Sequence, residues 1–381
     1  MLGDVHVVDF GHYVAGPFAS RVLGEFGADV VKIEPIGGDT MRPGGSNYFP
    51  AANTGKRSVQ LNIKAPAAAD VIRSMVDWAD VVHHNFRHGV SDRLGLDAGT
   101  LRAVKPELIV LESQAYGDGG PKVKRPGIDV IFQGYCGHCH ALSGDGNPPV
   151  DAMPFSNVDC GTGRLGAIAV MAALYRKRRT GEGASLKVSL LEFGLYTLSE
   201  LLRESGELRR GRPLNSRRTG VHPAECLYQA SDGWVAVAAP TWQAGKALLS
   251  ALGIDAPAAE FSAWSEREYL AISEAVGERS TAELAELLAG TGVHLEACDP
   301  DSRTRLLNHP GLREKGMVVD TWDSKYGRLQ SVGLTPVYPG SGARRPNYLP
   351  PSGADTRDFL SGSLGLSAAH IDKLYADNVV A

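Results

Sequence analysis

The stretch VHVVDFGHYVAGPFASRVLGEFGADVVKIEP, residues 5–35, decides the fold class of this chain. Residues 5–10 are rich in β-branched side chains and predict a strand. Apolar residues then recur at helical spacing over residues 18–26, and Gly27 ends the predicted helix. Residues 28–33 predict a second strand, so the stretch indicates a parallel strand–helix–strand unit.

The same alternation continues along the first half of the chain. Further strands are predicted at residues 58–63, 80–83 and 108–113, and further helices at residues 66–78 and 101–104. Strands that alternate with helices favour a parallel sheet with helices on both faces. We therefore predict a doubly wound α/β domain.

Three segments are expected from the pattern along the chain. Residues 1–205 form a large α/β domain, residues 206–330 form a linker and a smaller α+β domain, and residues 331–381 return to complete the large domain. A helix is predicted at residues 201–208, and the basic segment 209–218 that follows marks the change between domains.

The composition excludes several classes of function. The formal net charge of −4 argues against a nucleic-acid partner, because nucleic-acid-binding proteins usually carry a basic face. No apolar run reaches the length of a membrane span and the start of the chain lacks a signal-peptide pattern, so we expect a cytoplasmic protein without a membrane partner. The five scattered cysteines are typical of a reducing compartment. The lone pair Cys136 and Cys139 is too small for a metal site, and no metal is expected.

Several cations follow predicted strands, where open α/β sheets bind their ligands. Lys56 and Arg57 are adjacent, Lys64 lies beyond the next strand, and Arg87 and Arg93 follow another. Any one of these is most often a solvated surface charge. Together they favour an anionic ligand such as a phosphate group, which accepts charge-assisted hydrogen bonds from Arg and Lys.

A nicotinamide dinucleotide is the alternative ligand for the same sheet edge. Residues 10–17 form a loop with glycines before a helix, and Glu34 ends the second strand, where an acid that binds ribose would stand. Gly11 and Gly16 do not match the G-x-G-x-x-G spacing of dinucleotide-binding loops. The loop is therefore interpreted as an ordinary turn, and no such site is predicted.

Asp159 lies between a polar loop and the small apolar residues 165–174, which predict a buried helix. We expect it just before the N-terminus of that helix, where free backbone N–H groups stabilise negative charge. A carboxylate in this position is either an N-cap or a nucleophile. No Ser-His-Asp pattern competes for the chemistry, and the residues alone leave both interpretations open.

Taken in order, the motifs of this chain resemble those of the class III CoA-transferases. This family, also called the CaiB/BaiF type, includes formyl-CoA transferase, carnitine CoA-transferase and the α-methylacyl-CoA racemases. The resemblance extends almost from end to end. The matching segments are residues 7–10, 15–17, 23–35, 53–57, 85–87, 93–95 and 125–129, the Asp159 segment, and residues 232–234, 308–310, 316–319 and 364–367.

The resemblance implies that Asp159 is a nucleophile. Its carboxylate would attack the thioester of an acyl-CoA to give a mixed anhydride, and the released thiolate would convert the anhydride into an aspartyl-CoA thioester. A carboxylate with an ordinary pKa is ionised at neutral pH, so no general base is expected. The backbone N–H groups around Gly161 and Gly163 are the expected oxyanion donors.

The resemblance also implies that coenzyme A and acyl-CoA are substrates, that no cofactor is tightly bound, and that two chains interlock in a homodimer. In this arrangement the small domain of one chain closes over the large domain of the other. The expected contacts to CoA are Val14, Ala15, Pro35, Leu61, Asn62, Ile63, Lys64, Asn85, Phe86, Arg87 and Arg93.

Two alternative functions remain beside transfer. The racemases of the family carry a histidine at the position of Ile128, and this base is needed for proton exchange, so Ile128 argues against racemisation. A CoA-binding protein without turnover, in which Asp159 only caps its helix, is the second alternative.

Formyl-CoA transferase has a tyrosine at the position of Ile128 and a glutamine at that of Val14. The aliphatic residues found here favour a larger or less polar acyl group.

Overall fold

The structure is a computed structural model, and it describes residues 1–42, 47–151, 156–198, 201–209, 213–255, 261–323, 325–333 and 347–381. The contacts within the chain divide it into two compact units. The first unit comprises Met1–Cys136, Met153–Leu198 and His309–Ala381, and the second comprises Gly137–Ala152 and Ser199–Asn308. Each unit is therefore assembled from stretches that are separated in sequence.

Strands and helices alternate along the first 200 residues, as predicted. The strands are β1 (His6–Asp9), β2 (Asp29–Glu34), β3 (Arg57–Gln60), β4 (Val81–His84), β5 (Ile109–Gln114), β6 (Ala184–Ser189), β7 (Leu202–Glu204), β8 (Glu207–Arg209), β9 (Gly220–His222), β10 (Glu225–Ala230), β11 (Gly233–Ala238), β12 (His294–Ala297), β13 (Val318–Asp323), β14 (Gly327–Val332) and β15 (Tyr348–Leu349). The helices are α1 (Ala15–Glu25), α2 (Tyr48–Asn53), α3 (Ala68–Trp78), α4 (Val90–Leu94), α5 (Ala98–Val104), α6 (Asp129–Tyr135), α7 (His138–Ala141), α8 (Asn157–Thr180), α9 (Leu190–Tyr196), α10 (Trp242–Ala251), α11 (Glu266–Gly277), α12 (Thr281–Leu288), α13 (Ser302–Asn308), α14 (Pro310–Glu314), α15 (Thr356–Asp358) and α16 (Ala368–Ala376).

The first unit is built on a parallel six-stranded sheet. Its strand order is β3-β2-β1-β4-β5-β6, and every neighbouring pair is parallel. This arrangement confirms the predicted doubly wound α/β fold. The order of the strands reverses between β1 and β4, and sheets of this kind bind their ligands beside the carboxyl ends of the strands at such a point.

Both faces of this sheet are buried under helices. Val7 and Ile109 pack on one face with residues of α1 and α8. Val8 and Val110 pack on the opposite face with residues of α3, α5 and α16. Burial on both faces explains why the strands read as continuous runs of Val, Ile and Leu rather than as alternating polar and apolar residues.

The second unit contains an antiparallel sheet in the order β12-β11-β10-β9. Strands β10 and β11 form a hairpin in which Ala230 pairs with Gly233, so the two residues between them close a tight turn. Tyr228 of this sheet is fully buried with Leu248 of α10 and Ile272 of α11. The unit has its own apolar core.

The prediction of a helix at residues 201–208 is wrong. Strands β7 and β8 pair there as a short antiparallel hairpin, with Glu204 opposite Glu207. The two residues between them, Ser205 and Gly206, both have positive φ angles, of 51° and 90°. A two-residue turn of this kind matches the twist of paired strands, and it prevents the helix that the side-chain pattern favours.

The predicted domain boundaries at residues 205/206 and 330/331 stay predictions. Part of the basic segment that marks the first boundary, residues 210–212, lies outside the described residues. Part of the predicted return segment, residues 334–346, also lies outside them.

A fully buried carboxylate stands at the end of β1. Asp9 Oδ2 accepts hydrogen bonds from Lys56 Nζ at 2.8 Å and from Ser20 Oγ at 2.6 Å. Asp9 Oδ1 accepts one from the Gly11 N–H at 2.8 Å and lies 2.8 Å from His83 Nδ1. Burial by itself would raise the pKa of Asp9, but the charges of Lys56 and His83 outweigh it and hold the pKa well below its usual range.

Lys56 is held by further bonds inside the first unit. Its Nζ also donates to the Pro17 carbonyl at 2.7 Å and to Asn53 Oδ1 at 3.0 Å. Burial lowers the pKa of Lys56 to about 8, although the charge of Asp9 opposes the shift. The interpretation of Lys56 as a ligand for an external anion is wrong, because the ammonium group already has three acceptors within the protein.

We predict that Lys56→Met destabilises the protein strongly, because it leaves the buried Asp9 carboxylate without its cation. The expected loss is about 3–5 kcal/mol of the free energy of unfolding, measured by urea denaturation. Arg178→Met is the control: Arg178 pairs with Asp4 at 2.8 Å where both side chains are exposed, and exposed pairs contribute at most about 1 kcal/mol. Similar losses in the two variants would contradict the role given to Lys56.

Candidate active site and cavity

Asp159 is the third residue of α8. The helix begins at Asn157, directly after Ser156, whose φ angle of 50° lies in the left-handed region. The expected position just before the helix was therefore wrong, and so was the N-cap interpretation, because Ser156 occupies the N-cap position. A carboxylate in the first turn still benefits from the positive end of the helix dipole.

Two glycines that follow Asp159 lie inside α8 and serve its packing. A side chain at Gly161 would overlap the ring of Phe193, and a Cβ at Gly163 would lie 2.8 Å from the Cβ of Phe18. The glycines thus allow α8 to approach α9 and α1 closely. The expectation that their N–H groups serve as oxyanion donors is wrong, because N–H groups at these positions of a helix are bonded to carbonyls one turn earlier.

A second carboxylate contacts the first turn of α8. Asp129, the first residue of α6, accepts a hydrogen bond from the backbone N–H of Asp159 at 3.0 Å through its Oδ2. Gln133, one turn further along α6, donates to the other oxygen of Asp129. Asp129 therefore joins the starts of two helices and places a negative charge next to Asp159.

The surroundings of Asp159 disfavour its ionised form. Burial, and then the charge of Asp129, raise the pKa of Asp159 to about 7. The expectation of an ordinary, fully ionised carboxylate was therefore wrong. Near neutral pH both forms of the group are therefore populated, and the protein destabilises the ionised one, which is a property of reactive carboxylates.

An apolar cluster underlies this end of α8. Val158, next to Asp159, is fully buried with Phe132 of α6, Leu190 of α9 and Ala15 of α1. Tyr116 packs against the cluster, with its ring centroid 4.7 Å from that of Phe132. The start of α8 is therefore fixed by three other helices.

Ile128 and Tyr135 are exposed at the two ends of α6. More than half of the Ile128 surface is accessible, and Tyr135 is half exposed with Lys122 Nζ 3.6 Å from its ring centroid. Ile128 directly precedes Asp129, so an apolar surface lies next to the carboxylate pair. This surface is suited to contact with an aliphatic acyl group.

A cavity of about 480 Å³ opens where β1, β2, β3 and β4 end. It lies at the point where the strand order reverses, the place that doubly wound sheets use for ligands. Six of the predicted CoA contacts line it: Pro35, Leu61, Asn62, Ile63, Lys64 and Phe86. The cavity walls are largely apolar, and the exposed Lys64 supplies a cation.

Asn85 acts on the loop beside this cavity. Its Oδ1 accepts a hydrogen bond from the His12 N–H at 2.8 Å, and its Nδ2 donates to the His12 carbonyl at 2.8 Å. Asn85 thus holds both polar groups of one residue between β1 and α1. His12 itself lines the cavity, and burial together with the charge of Lys32 lowers its pKa.

The other predicted CoA contacts do not line the cavity. Val14 and Ala15 are buried at the start of α1, where Ala15 belongs to the cluster around Val158. Arg87 and Arg93 are exposed at the surface after β4. The roles predicted for these residues in binding CoA stay predictions.

Several cavity residues were missed in the sequence. Phe10, His12, Ile33, Ile36, Val90 and Leu94 also line the cavity. Those around the ends of β1 and β2 could have been found, because residues that follow parallel strands gather at one sheet edge. Glu34 lies there too, but Arg42 donates to both of its oxygens, at 2.6 and 2.7 Å, so the carboxylate is not open to a ribose.

Comparison with known proteins places the chain in a family. A sequence profile described as CoA-transferase family III matches residues 2–356. The chain belongs to CoA-transferase family III. The match covers both the carboxylate pair and the cavity at the carboxyl ends of the strands.

Several family members are similar to this chain. The succinyl-CoA–L-malate CoA-transferase β subunit of Chloroflexus aurantiacus is 33% identical over 266 residues, which span 66% of this chain and 65% of that subunit. The succinate–glutarate CoA-transferase of Agrobacterium fabrum is 31% identical, with 67% of each chain covered. The chain thus spans 65% of the length of the first relative and 67% of the length of the second.

Solved structures of the family have the same fold. The crystal structure of Rv3272 from Mycobacterium tuberculosis superposes with a TM-score of 0.77 at 25% sequence identity. The superposition covers 93% of this chain and 98% of Rv3272.

Among the described residues, no helix has both the length and the hydropathy of a membrane span, and no three His, Cys, Asp or Glu side chains are grouped to hold a metal ion.

We predict that Asp159→Asn stabilises the protein at alkaline pH. A carboxyl pKa that is higher in the folded state than in the unfolded state makes ionisation oppose folding, so the wild type loses stability as the pH rises from about 4 to about 7. The variant lacks this loss. Its free energy of unfolding in urea should exceed that of the wild type by on the order of 2 kcal/mol at pH 8, and by less at pH 5.

Asp70→Asn is the matched control for this experiment, because Asp70 is an exposed acid in the first turn of α3. Its effect on stability should be small and similar at the two pH values. A gain for Asp159→Asn that does not depend on pH would contradict the raised pKa.

Proposed function

We propose that this protein is a CoA-transferase that moves CoA from an acyl-CoA donor to a carboxylic acid acceptor through covalent intermediates on Asp159. The observation that carries the proposal is the Asp159 carboxyl group at the start of α8, largely buried and next to Asp129, in a chain of CoA-transferase family III. A carboxylate is a suitable nucleophile for this exchange because the anhydride that it forms keeps the acyl group activated.

The donor half of the reaction forms two intermediates. A carboxylate oxygen of Asp159 attacks the thioester carbonyl carbon, the C–S bond breaks, and CoA leaves as a thiolate. The thiolate then attacks the side-chain carbonyl carbon of Asp159. The anhydride C–O bond breaks, the donor carboxylate leaves, and an aspartyl-CoA thioester remains.

The acceptor half reverses these steps. The acceptor carboxylate attacks the aspartyl-CoA thioester and expels the thiolate, which forms a second anhydride. The thiolate attacks the acceptor carbonyl of this anhydride, and the Asp159 carboxylate leaves. No proton is transferred in either half, so the chemistry needs no general acid or base, only an ionised Asp159.

The position of Asp129 favours the attack by Asp159. Burial and repulsion by the charge of Asp129 both destabilise the ionised form of Asp159, and its raised pKa reflects these two costs. Attack moves the negative charge from Asp159 to the oxygen of the thioester carbonyl and then to the departing CoA thiolate. Asp159 becomes a neutral ester-like group, which relieves both costs. The same relief favours each covalent intermediate over the free carboxylate.

The cavity at the point where the strand order reverses is the proposed binding site for the nucleotide end of CoA. Its apolar walls, which include Phe10, Leu61 and Phe86, suit a flat adenine ring. Lys64 lines the cavity, and Arg87 and Arg93 are exposed cations on the neighbouring segment. These three side chains are the proposed partners of the phosphate groups.

Racemisation at the α-carbon of an acyl-CoA is the second candidate function. The observation that favours it is a carboxyl group with a pKa near 7, which can accept and return a proton. The position before Asp129 holds Ile128, whose side chain cannot exchange a proton. Incubation of 2-methylacyl-CoA esters in deuterated water distinguishes the two functions, because only a racemase incorporates deuterium at the α-carbon.

The substrates are proposed as a class. Two relatives are named for succinyl-CoA with malate and for succinate with glutarate, so these dicarboxylates head the panel of donors and acceptors to be tested. The exposed Ile128 next to Asp129 supports aliphatic acyl groups as further members of the panel.

The interlocked homodimer and the cytoplasmic location stay predictions that rest on the sequence.

We predict that Asp159→Ala abolishes transfer and leaves CoA binding intact. The rate constant kcat should fall by about 10³-fold or more with the best donor–acceptor pair, because the nucleophile is absent. The affinity for CoA, measured by calorimetry, should stay within about twofold, since Asp159 is not among the residues that line the cavity.

Trapping adds a direct readout of the covalent step. After donor alone is mixed with the wild type, hydroxylamine should convert Asp159 into a hydroxamate that is found by mass analysis of the peptide. Asp129→Asn should still form this product, whereas Asp159→Ala should not. Transfer that persists at the wild-type rate in Asp159→Ala, or a hydroxamate on another residue, would refute the proposed nucleophile.

We predict that the rate of the covalent step rises with pH through about 7, because only ionised Asp159 attacks. Asp129→Asn removes the negative charge that raises the pKa of Asp159, so the rise should move to lower pH. The measurement is the single-turnover rate of anhydride and thioester formation across pH 5–9. Asp70→Asn should leave the profile in place, and an unshifted profile in Asp129→Asn would contradict the role of its charge.

A further inference from the structure

A second cavity, of about 260 Å³, is lined by one face of β4, β5 and β6. His84, Glu112 and Lys187 occupy the same level of three neighbouring strands, because His84 pairs in register with Glu112 and Glu112 with Lys187. Gln114, two residues beyond Glu112, lies on the same face of the sheet. These four side chains line the cavity, and the proposed transfer reaction uses none of them.

His84 is the buried polar side chain of this cavity. Only 2% of its surface is exposed, and neither ring nitrogen makes a hydrogen bond of normal geometry within the described part of the chain. The ring stacks on Phe86 at a centroid distance of 5.1 Å. Burial, and then the charge of His83, lower the pKa of His84 to about 3, although an interaction with the Leu96 backbone opposes the shift. The imidazole is therefore neutral, and one of its nitrogens is an acceptor.

Two further acceptors face the same cavity. Gln114 Oε1 is buried and unpartnered among the described residues, while its Nε2 is fixed by a 2.9 Å bond to Asp118. Glu112 Oε1 accepts one hydrogen bond, from the Ala98 N–H at 3.3 Å, and lies 3.8 Å from His84 Nε2. Glu112 Oε2 lies 3.8 Å from Lys187 Nζ, which pairs more closely with Asp118. A buried acceptor without a donor costs free energy unless a ligand or water supplies one.

The charge of the cavity defines the kind of ligand that complements it. Asp92, Asp97, Glu112 and Asp118 face the single cation Lys187 among its lining residues. Burial raises the pKa of Glu112, although the charge of Lys187 and the hydrogen bond from Ala98 oppose the rise, and the charges of Asp118 and Asp92 add to it. A cation that donates hydrogen bonds would supply both the missing positive charge and the missing donors.

We propose that this cavity binds a small organic ammonium ion, whose N–H groups donate to His84, Gln114 and Glu112. A primary ammonium has three donors and one positive charge, which matches three acceptors in an acidic pocket. A metal ion is less suited, because no three His, Cys, Asp or Glu side chains among the described residues are grouped to coordinate one. The site goes beyond the proposed transfer reaction and does not depend on it.

The test is calorimetric titration of the full-length protein with 1,4-diaminobutane at constant ionic strength, with no CoA present. We expect saturable binding of the diamine and none of 1,4-butanediol, which has the same chain without the charge. Glu112→Gln should weaken binding by about tenfold or more, because it replaces the anionic acceptor by a neutral one of the same shape. Gln114→Met, which removes a second acceptor, should weaken it as well.

Asp70→Asn is the control variant, because it removes one negative charge that does not line the cavity. The affinity of this variant for the diamine should stay within about twofold of the wild type. Each variant is first checked for a native circular dichroism spectrum. The proposal is overturned if the wild type does not bind the diamine saturably, if butanediol binds equally well, or if both cavity variants retain wild-type affinity. Loss of transfer activity in Asp159→Ala leaves this test unaffected.

Discussion

The ion pair between Asp9 and Lys56, 2.8 Å apart and shielded from water, holds together the edge of the sheet on which the ligand cavity depends. Removing two charges from water is unfavourable unless each finds opposite charge and hydrogen bonds. Here the partners come from different elements: His83 belongs to β4 and Ser20 to α1. The network therefore exists only when these elements come together, and it fixes the loop between β1 and α1 beside the cavity.

Two aspartates show how the same side chain acquires opposite properties. Burial by itself would raise the pKa of both Asp9 and Asp159. Lys56 beside Asp9 reverses this effect and lowers the pKa, whereas the negative Asp129 beside Asp159 adds to it. The first is thus locked as a structural anion, and the second is left with a pKa near neutrality. In the proposed transfer reaction, the destabilised carboxylate is the one that forms covalent bonds, since attack transfers its charge to the substrate and then to the leaving thiolate.

The parallel sheet positions both cavities. The first opens where β1 to β4 end, and the loops there supply most of its side chains, whereas the second lies over one face of β4 to β6. Phe86 lines both cavities: the apolar one that suits a nucleotide and the acidic one that suits an ammonium ion. The two differ because the first is bounded by the apolar residues that follow β1 to β3, Phe10, Pro35 and Leu61, and the second by the polar row across β4 to β6.

The sequence by itself determined the order of strands and helices, and hence the sheet edge at which ligand-binding side chains gather, because periodicity and strand ends are local properties. It failed at residues 201–208, where the Ser205–Gly206 turn overrode the side-chain pattern. Only the tertiary structure decided which groups are paired and which are reactive. Lys56 reads as a surface cation until Asp9, 47 residues away, is placed beside it, and Asp159 reads as an ordinary acid until Asp129, 30 residues away, contacts it. Pairing and ionisation depend on burial and on distances between residues remote in sequence, and no local pattern encodes those distances.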